Sequence, residues 1–252
     1  AVAVSPADDG RRARVDEEIS PRFGFIYKPA QNVSIYASYS ETFLPSAGDQ
    51  FLTLSPTTED LQPQVFENQE IGAKWDIRPG LSFTAAVFRL ERGLFTTVGP
   101  DDPSTTITVP GSTTEGIELQ LTGDLTERWY LSAGYSYLDG EVDGGPNAGA
   151  VTRQTPEHMA SVWTQYAATQ RLVLGLGVTF QDEYFVLEDN AVLVPDFTRV
   201  DAGVFYDVSD ATRLQLNIEN LFNTDYFPDA HSNDNISTGE PVNARFTVSH
   251  RF

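Results

Sequence analysis

The sequence lacks cysteine and long apolar runs, and basic residues are scarce. Zero cysteines exclude a disulfide scaffold and a thiolate metal site. No run of about 18 apolar residues occurs, which excludes a transmembrane helix. With 16 Lys and Arg against 36 Asp and Glu, the net charge of -20 disfavours nucleic acid and anionic lipid surfaces as partners. The 252 residues are enough for one all-β domain or for two smaller ones.

What the sequence has is a strict alternation of apolar and polar residues. The clearest segment is 171–181, RLVLGLGVTFQ, where the even positions are all large and apolar and the odd positions are mostly small or polar. Successive side chains of a strand point to opposite faces, so this segment predicts a strand with one apolar face. The mean hydropathy of -0.27 is compatible with a membrane β-barrel, in which only every second strand residue faces lipid.

Alternation and turn residues together predict about eleven antiparallel strands. Most are longer than ordinary globular strands and match a tilted membrane span of about 9–11 residues. The predicted strands are 19–28, 32–41, 64–77, 80–92, 112–123, 127–140, 157–168, 171–185, 196–208, 211–225 and 241–252.

The connections between these strands alternate between short and long. The short ones carry turn formers such as Pro79, Gly80 and Asp124. The long ones, rich in Asp, Gly, Pro, Ser and Thr, are 42–63, 93–111, 141–156, 186–195 and 226–240. Short turns at one end and long loops at the other are typical of outer-membrane barrels. A soluble sandwich would also alternate, with its apolar face as the core. The unequal ends and the aromatic residues near strand ends favour the membrane barrel; those aromatics are Tyr27, Trp75, Trp129 and Tyr206.

The C-terminal segment ARFTVSHRF predicts an amphipathic last strand that ends on an aromatic residue. Its one-face residues are Phe246, Val248, His250 and Phe252. Such a strand resembles the signal that the outer-membrane barrel assembly machinery recognises. The N-terminal AVAVSPADDGRR has no start Met and no apolar signal region, so we expect either a mature chain or a fragment.

Several segments resemble the TonB-dependent siderophore receptors. They include SPRFGFIYKPAQNVSIYASYSETFLPS (20–46), LQPQVFENQEIGAKWDI (61–77), LSFTAAVFRLER (81–92) and TEGIELQLTGDLTERWYLSAGYSYLDGEV (114–142). Within the tail 198–252, NIENLFNTDYF and AHSNDNISTGEP resemble the catecholate, Fiu-like branch. One departure is Val242, where the family's closing motif usually has Arg after Pro241, so any contact of that Arg is absent.

The resemblance implies a 22-stranded barrel filled by an N-terminal plug. We therefore expect 1–252 to be the C-terminal part of such a barrel without the plug, with 1–18 left from an extracellular loop. It also implies an outer-membrane location with a periplasmic C-terminus and a ferric siderophore as transported ligand, without a cofactor. The implied partners are the TonB–ExbB–ExbD complex through the plug, the barrel assembly machinery, and outer-membrane lipid and lipopolysaccharide.

Ligand contacts are expected from the long loops and their bases. A ferric siderophore is bulky, often anionic and aromatic, which suits Arg for ion pairing and aromatic or His side chains for stacking and hydrogen bonding. The candidates are Phe43, Arg92, Arg153, Tyr184, Arg199 and His231. The three histidines lie far apart in sequence, so direct metal ligation is not predicted. No nucleophile motif is present, and we do not expect an enzyme.

Three functions remain open from the sequence. The first is a receptor and transporter that binds a ferric siderophore and takes it up with TonB-driven entry. The second is a passive porin, which would share the barrel. The third is a soluble β-rich binding module, which would purify without detergent.

Overall fold

The computed structural model describes residues 15–44, 63–93, 95–98 and 106–252. Eleven of its strands form one sheet: β1 (Arg22–Ala30), β2 (Val33–Leu44), β3 (Gln64–Arg78), β4 (Leu81–Arg92), β7 (Ser112–Thr126), β8 (Trp129–Val142), β9 (His158–Ala167), β10 (Leu172–Gln181), β13 (Phe197–Ser209), β14 (Thr212–Glu219) and β17 (Asn243–His250). The eleven predicted strands are therefore confirmed.

Six short strands form three hairpins inside the long connections. They are β5 (Phe95–Val98) with β6 (Thr106–Val109), β11 (Tyr184–Phe185) with β12 (Leu193–Val194), and β15 (Asp229–Ser232) with β16 (Asn235–Ser237). The only helical element in the described part is a short 3-10 helix, Gly145–Asn147. No helix of the described residues is long and apolar enough to cross a membrane.

Two predicted strands run too far. The strand predicted over 171–185 ends at Gln181, because its neighbours end there too: Gln181 pairs with Met159 near the start of β9 and with Phe197 at the start of β13. The strand predicted over 211–225 ends at Glu219, because Asn220 takes a positive φ of 53° and turns the chain.

The sheet is a meander of antiparallel neighbours in the order β1-β2-β3-β4-β7-β8-β9-β10-β13-β14-β17. In the described part of the chain the sheet does not close, since β1 pairs with β2 alone and β17 with β14 alone. In the described residues the tight turns lie at one edge, the short-turn edge, and the loops 143–157, 182–196 and 220–242 lie at the opposite, long-loop edge.

The register keeps apolar residues on one face across the whole sheet. One row runs through partnered positions of five adjacent strands: Ala37, Ile71, Val87, Ile117 and Tyr137. The intervening positions carry Ser, Thr, Gly and charged residues, as in Arg199, Asp201 and Asp207 of β13. The predicted two-faced strands are confirmed, and we call the two sides the apolar and the polar face.

Four exposed aromatic residues of the apolar face mark the short-turn edge. Tyr27, Trp75, Trp129 and Tyr206 lie near the turn ends of β1, β3, β8 and β13 and are all exposed. The indole of Trp129 donates a hydrogen bond of 2.5 Å to the Thr164 hydroxyl on β9. Rings that are apolar over most of their surface and polar at one end suit the boundary between hydrocarbon and water.

Candidate functional site at the long-loop edge

Three loops at the long-loop edge pack into one body, which we call the loop cap: 143–157, 182–196 and 220–242. Its small core joins two of these loops, with Tyr184, Val186 and Val194 from the second and Ala230 from the third. Leu187, Val192, Phe227 and Ile236 pack around it. Because apolar burial stabilises loops as it does domains, the cap is held in place by its own core.

Hydrogen bonds tie the first loop to the other two. The Asn190 amide accepts from Val151 N at 3.0 Å and donates to Val151 O at 2.9 Å. The backbone N–H of Gln154 donates to Phe185 O at 2.7 Å, and its side-chain amide donates to Ala230 O at 2.7 Å. The loop cap therefore has both apolar and polar links between its three segments.

Arg92 lies at the base of this cap, within electrostatic range of Arg153 in its 143–157 loop. Arg92 ends β4 on the polar face, and its Nη1 lies 3.9 Å from a carboxylate oxygen of Glu188 in the 182–196 loop. Its guanidinium lies near enough to that of Arg153 for the two to repel each other. Two guanidinium groups within electrostatic range of each other are a feature that an anionic ligand can use.

Tyr184 lies inside the cap core. Its side chain is 4% exposed, and its hydroxyl has no hydrogen-bond partner among the described residues. Burial, and then the charge of Asp229, raise the pKa of the Tyr184 phenol. In this arrangement the ring supports the loops from within and does not present a face to solvent.

Arg199 is engaged in a network with its neighbours. Its Nη2 donates to Asp201 at 3.0 Å, its Nη1 donates to the Tyr226 hydroxyl at 3.0 Å, and the guanidinium lies 5.6 Å from the centre of the Tyr226 ring. Asp201 in turn accepts from Asn220 N at 2.8 Å. The network fixes the start of the 220–242 loop against β13.

The remaining candidates are dispersed. His231 is exposed on β15, on the same loop as Tyr226. Phe43 is half-buried on β2, opposite Val65, and shares the apolar face with Tyr39 and Glu41. The structure thus brings Arg92 and Arg153 together, places Tyr184 and His231 on adjoining loops, and leaves Phe43 on the other side of the sheet.

The residues predicted as an assembly signal lie on the last strand. Phe246 and Val248 are exposed on the apolar face, opposite Leu216 and Leu214 of β14. His250 shares a 2.9 Å hydrogen bond with the Thr212 hydroxyl, and its ring lies edge-on to Phe252 at 4.8 Å. Their role in assembly stays a prediction.

Sequence reasoning missed the residues that hold the cap, namely Gln154, Asn190 and Asn220. The two asparagines carry a usable signal, because Asn is a turn former that tolerates a positive φ. Gln154 carries none. Among the described residues no group of three or more His, Asp or Glu side chains is arranged to hold a metal ion.

A family model described as the β-barrel of TonB dependent receptor-like proteins matches residues 3–221. This chain belongs to the TonB-dependent receptor family. The resemblance seen in the sequence is therefore confirmed, and the family is one of receptors and transporters.

Two relatives are siderophore receptors. The probable TonB-dependent siderophore receptor PiuA of Acinetobacter baumannii is 33% identical, over 91% of this chain and 33% of its own length. The catecholate siderophore receptor Fiu of Escherichia coli is 28% identical, over 98% of this chain and 34% of its own length. The chain spans about a third of the length of these relatives.

Solved structures of the same two proteins share the fold. PiuA superposes with a TM-score of 0.86 at 31% identity, over 91% of this chain and 35% of PiuA. The closed form of Fiu, from Escherichia coli K12, superposes with a TM-score of 0.81 at 27% identity, over 92% of this chain and 34% of Fiu. The eleven-stranded sheet is therefore part of the receptor barrel fold.

Proposed function

We propose that this chain belongs to an outer-membrane receptor that binds a ferric siderophore, of the catecholate type, at its long-loop edge for TonB-driven uptake. The observation that carries the proposal is the packed loop cap at the long-loop edge, with Arg92 lying 3.9 Å from Glu188 of the 182–196 loop and within electrostatic range of Arg153 of the 143–157 loop. A ferric catecholate presents an anionic, aromatic surface, and paired guanidinium groups suit it because they combine charge with planar stacking. The relatives PiuA and Fiu, both siderophore receptors, support the same ligand class.

The other candidate residues differ in whether they would contact the ligand directly. His231 on the exposed surface of the cap and Arg199 below it are further contacts, whereas Tyr184 contributes through the cap core. Phe43 lies on the apolar face, so a contact from it would require ligand at the rim of the sheet.

The membrane arrangement is part of the proposal. The apolar face lies against lipid, the short-turn edge and the C-terminus are periplasmic, and the long-loop edge is extracellular. Lipopolysaccharide would then surround the rim. The TonB–ExbB–ExbD complex acts through the plug of the receptor, and the assembly machinery recognises Phe246, Val248, His250 and Phe252. The protein acts by binding and transport, not by catalysis.

A passive porin and a soluble β-rich module are the alternatives. A porin would pass small solutes without TonB and without saturable affinity for a ferric complex. A soluble module would leave the broad exposed apolar face, including Phe246 at 63% exposure, in contact with water, which favours aggregation.

Uptake of radioactive iron tests the proposal directly. We expect cells that express the gene to take up ferric 2,3-dihydroxybenzoate under iron starvation, and cells that lack either this gene or TonB to lose that uptake. Uptake that continues without TonB would favour the porin. Uptake that continues without this gene would contradict the proposal altogether.

A further inference from the structure

Gln154 has an unusual backbone. Four residues of the described chain other than glycine have a positive φ, and three of them are Asn: Asn190, Asn220 and Asn223. The fourth is Gln154, with a φ of 53°. Asn adopts this left-handed conformation readily, whereas a longer side chain such as Gln does so at a cost. A residue held in that conformation persists where surrounding contacts fix it.

The contacts that fix Gln154 reach both other loops of the cap. Its backbone N–H donates to Phe185 O at 2.7 Å, in the 182–196 loop. Its side-chain amide donates to Ala230 O at 2.7 Å, in the 220–242 loop. The left-handed turn aims these two donors at segments that are far apart along the chain. Gln154, in the 143–157 loop, is therefore bonded to both of the other loops of the cap.

Each of these bonds ends beside a predicted ligand residue. Arg153 precedes Gln154, Tyr184 precedes Phe185, and His231 follows Ala230. A shift of any of the three loops would change the separation of these side chains.

We infer that Gln154 is a positioning residue, which sets the mutual placement of Arg153, the Tyr184 segment and His231 and thereby the affinity for ligand. It acts through the loops and does not itself contact the ligand. The inference rests on the proposed function for its ligand, whereas its structural part stands on the contacts alone.

The variant Gln154→Asn separates the contribution of the side-chain hydrogen bond from that of the backbone hydrogen bond. Asn tolerates the positive φ and keeps the backbone N–H, but its amide is one methylene shorter and does not reach Ala230 O. The matched control is Gln170→Asn, an exposed Gln in the turn 168–171 at the short-turn edge. Both variants are made in the protein as expressed from its own gene and studied in outer-membrane vesicles.

Two readouts test the inference. We expect Gln154→Asn to speed amide hydrogen exchange in 226–237, while 184–194, whose bond to the Gln154 backbone is retained, and the sheet strands keep their protection. We also expect it to weaken binding of ferric 2,3-dihydroxybenzoate about tenfold. Gln170→Asn should change neither. Unchanged exchange in 226–237, or unchanged affinity with faster exchange, would overturn the inference.

A cross-link between the two loops tests whether fixing their separation restores the affinity for the ligand. The chain has no cysteine, so Gln154→Cys combined with Asp229→Cys, at the exposed residue that precedes Ala230, gives two unique accessible thiols for a short thiol-reactive cross-linker. We expect the cross-linked protein to recover the affinity that the unlinked double variant loses. Affinity that stays low after cross-linking would contradict a positioning role. If the wild-type protein itself does not bind the ferric complex, the proposed function fails, and the exchange measurement still decides whether Gln154 couples the loops.

Discussion

Glu41 and Glu67 lie directly opposite each other on β2 and β3, on the apolar face near the long-loop edge. The Tyr39 hydroxyl lies between them, at 3.3 Å from Glu41 and 3.2 Å from Glu67. Glu91 of β4 continues the row, because it is the partner of Glu67 on the other side. Like charges at opposed positions of neighbouring strands repel, since their Cβ atoms are only about 5 Å apart.

Removing the middle charge of this row should stabilise the sheet. We expect Glu67→Gln to raise the free energy of unfolding by about 0.2–1 kcal/mol at low salt, with a smaller gain at high salt, because salt screens the repulsion. Urea denaturation of the protein in micelles measures the change. Glu127→Gln, in the short turn between β7 and β8, is the control and should have little effect.

Gly123 of β7 lies close to the turn between β3 and β4 at the short-turn edge. Its φ is 137°, and a Cβ built there would lie 1.9 Å from Gly80 O. Both the backbone conformation and the space are therefore closed to alanine, and we expect Gly123→Ala to cost more than about 1 kcal/mol. Gly134→Ala is the matched control, since its Cβ would meet nothing closer than 3.6 Å. Equal stability of the two variants, measured by thermal unfolding in micelles, would show that this turn relaxes freely.

Asn220 is 1% exposed and holds the start of the 220–242 loop. Its amide donates to Thr224 O at 2.8 Å and Glu240 O at 3.0 Å, and accepts from Thr224 N at 2.8 Å. Asn220→Ala leaves these groups without their partner and should cost about 2–4 kcal/mol. Asn220→Gly keeps the positive φ free of strain, so the difference between the two variants isolates the backbone contribution. Protease resistance of the loop is the measurement, and an intact loop in Asn220→Ala would rule out this role.

The raised pKa of Tyr184 predicts a response of the cap to alkaline pH. Burial favours the neutral phenol in the folded cap. Its contribution to the stability of the cap is therefore complete below about pH 10, the pKa of Tyr in the unfolded chain, and is lost as the pH rises through the higher pKa of the folded state. We expect the difference in phenolate absorbance between the wild type and Tyr184→Phe to titrate above the ordinary pKa of about 10. A titration at the ordinary pKa would mean that the ring is open to water in solution.

The eleven strands could be predicted from the sequence because alternation is a local property, imposed by the opposite directions of successive side chains. In 171–181 the even positions Leu174 and Leu176 are exposed on the apolar face, as that pattern requires. The strand ends were less predictable, because Gln181 ends β10 where the partner strands end.

The loop cap could not be predicted, because its bonds join residues far apart in sequence. Gln154 and Ala230 are separated by 76 positions, and no periodicity links them. The sequence predicts Tyr184 as an aromatic ring for ligand contact, but whether such a ring faces solvent or a core depends on the packing of the neighbouring loop. The approach of Arg92 to Arg153 is likewise set by the loops, and the role of both in ligand binding stays a prediction.

The affinity of the paired arginines for a ferric catecholate is the most direct measure of the proposed function. Equilibrium binding of ferric 2,3-dihydroxybenzoate is compared for the wild type, for Arg92→Gln combined with Arg153→Gln, and for Arg171→Gln at the short-turn edge. We predict that the double variant binds about a hundredfold more weakly, since each charged hydrogen bond is worth about 1.5 kcal/mol or more, and that Arg171→Gln binds as the wild type does. Unchanged affinity in the double variant would contradict the assignment of ligand binding to this pair.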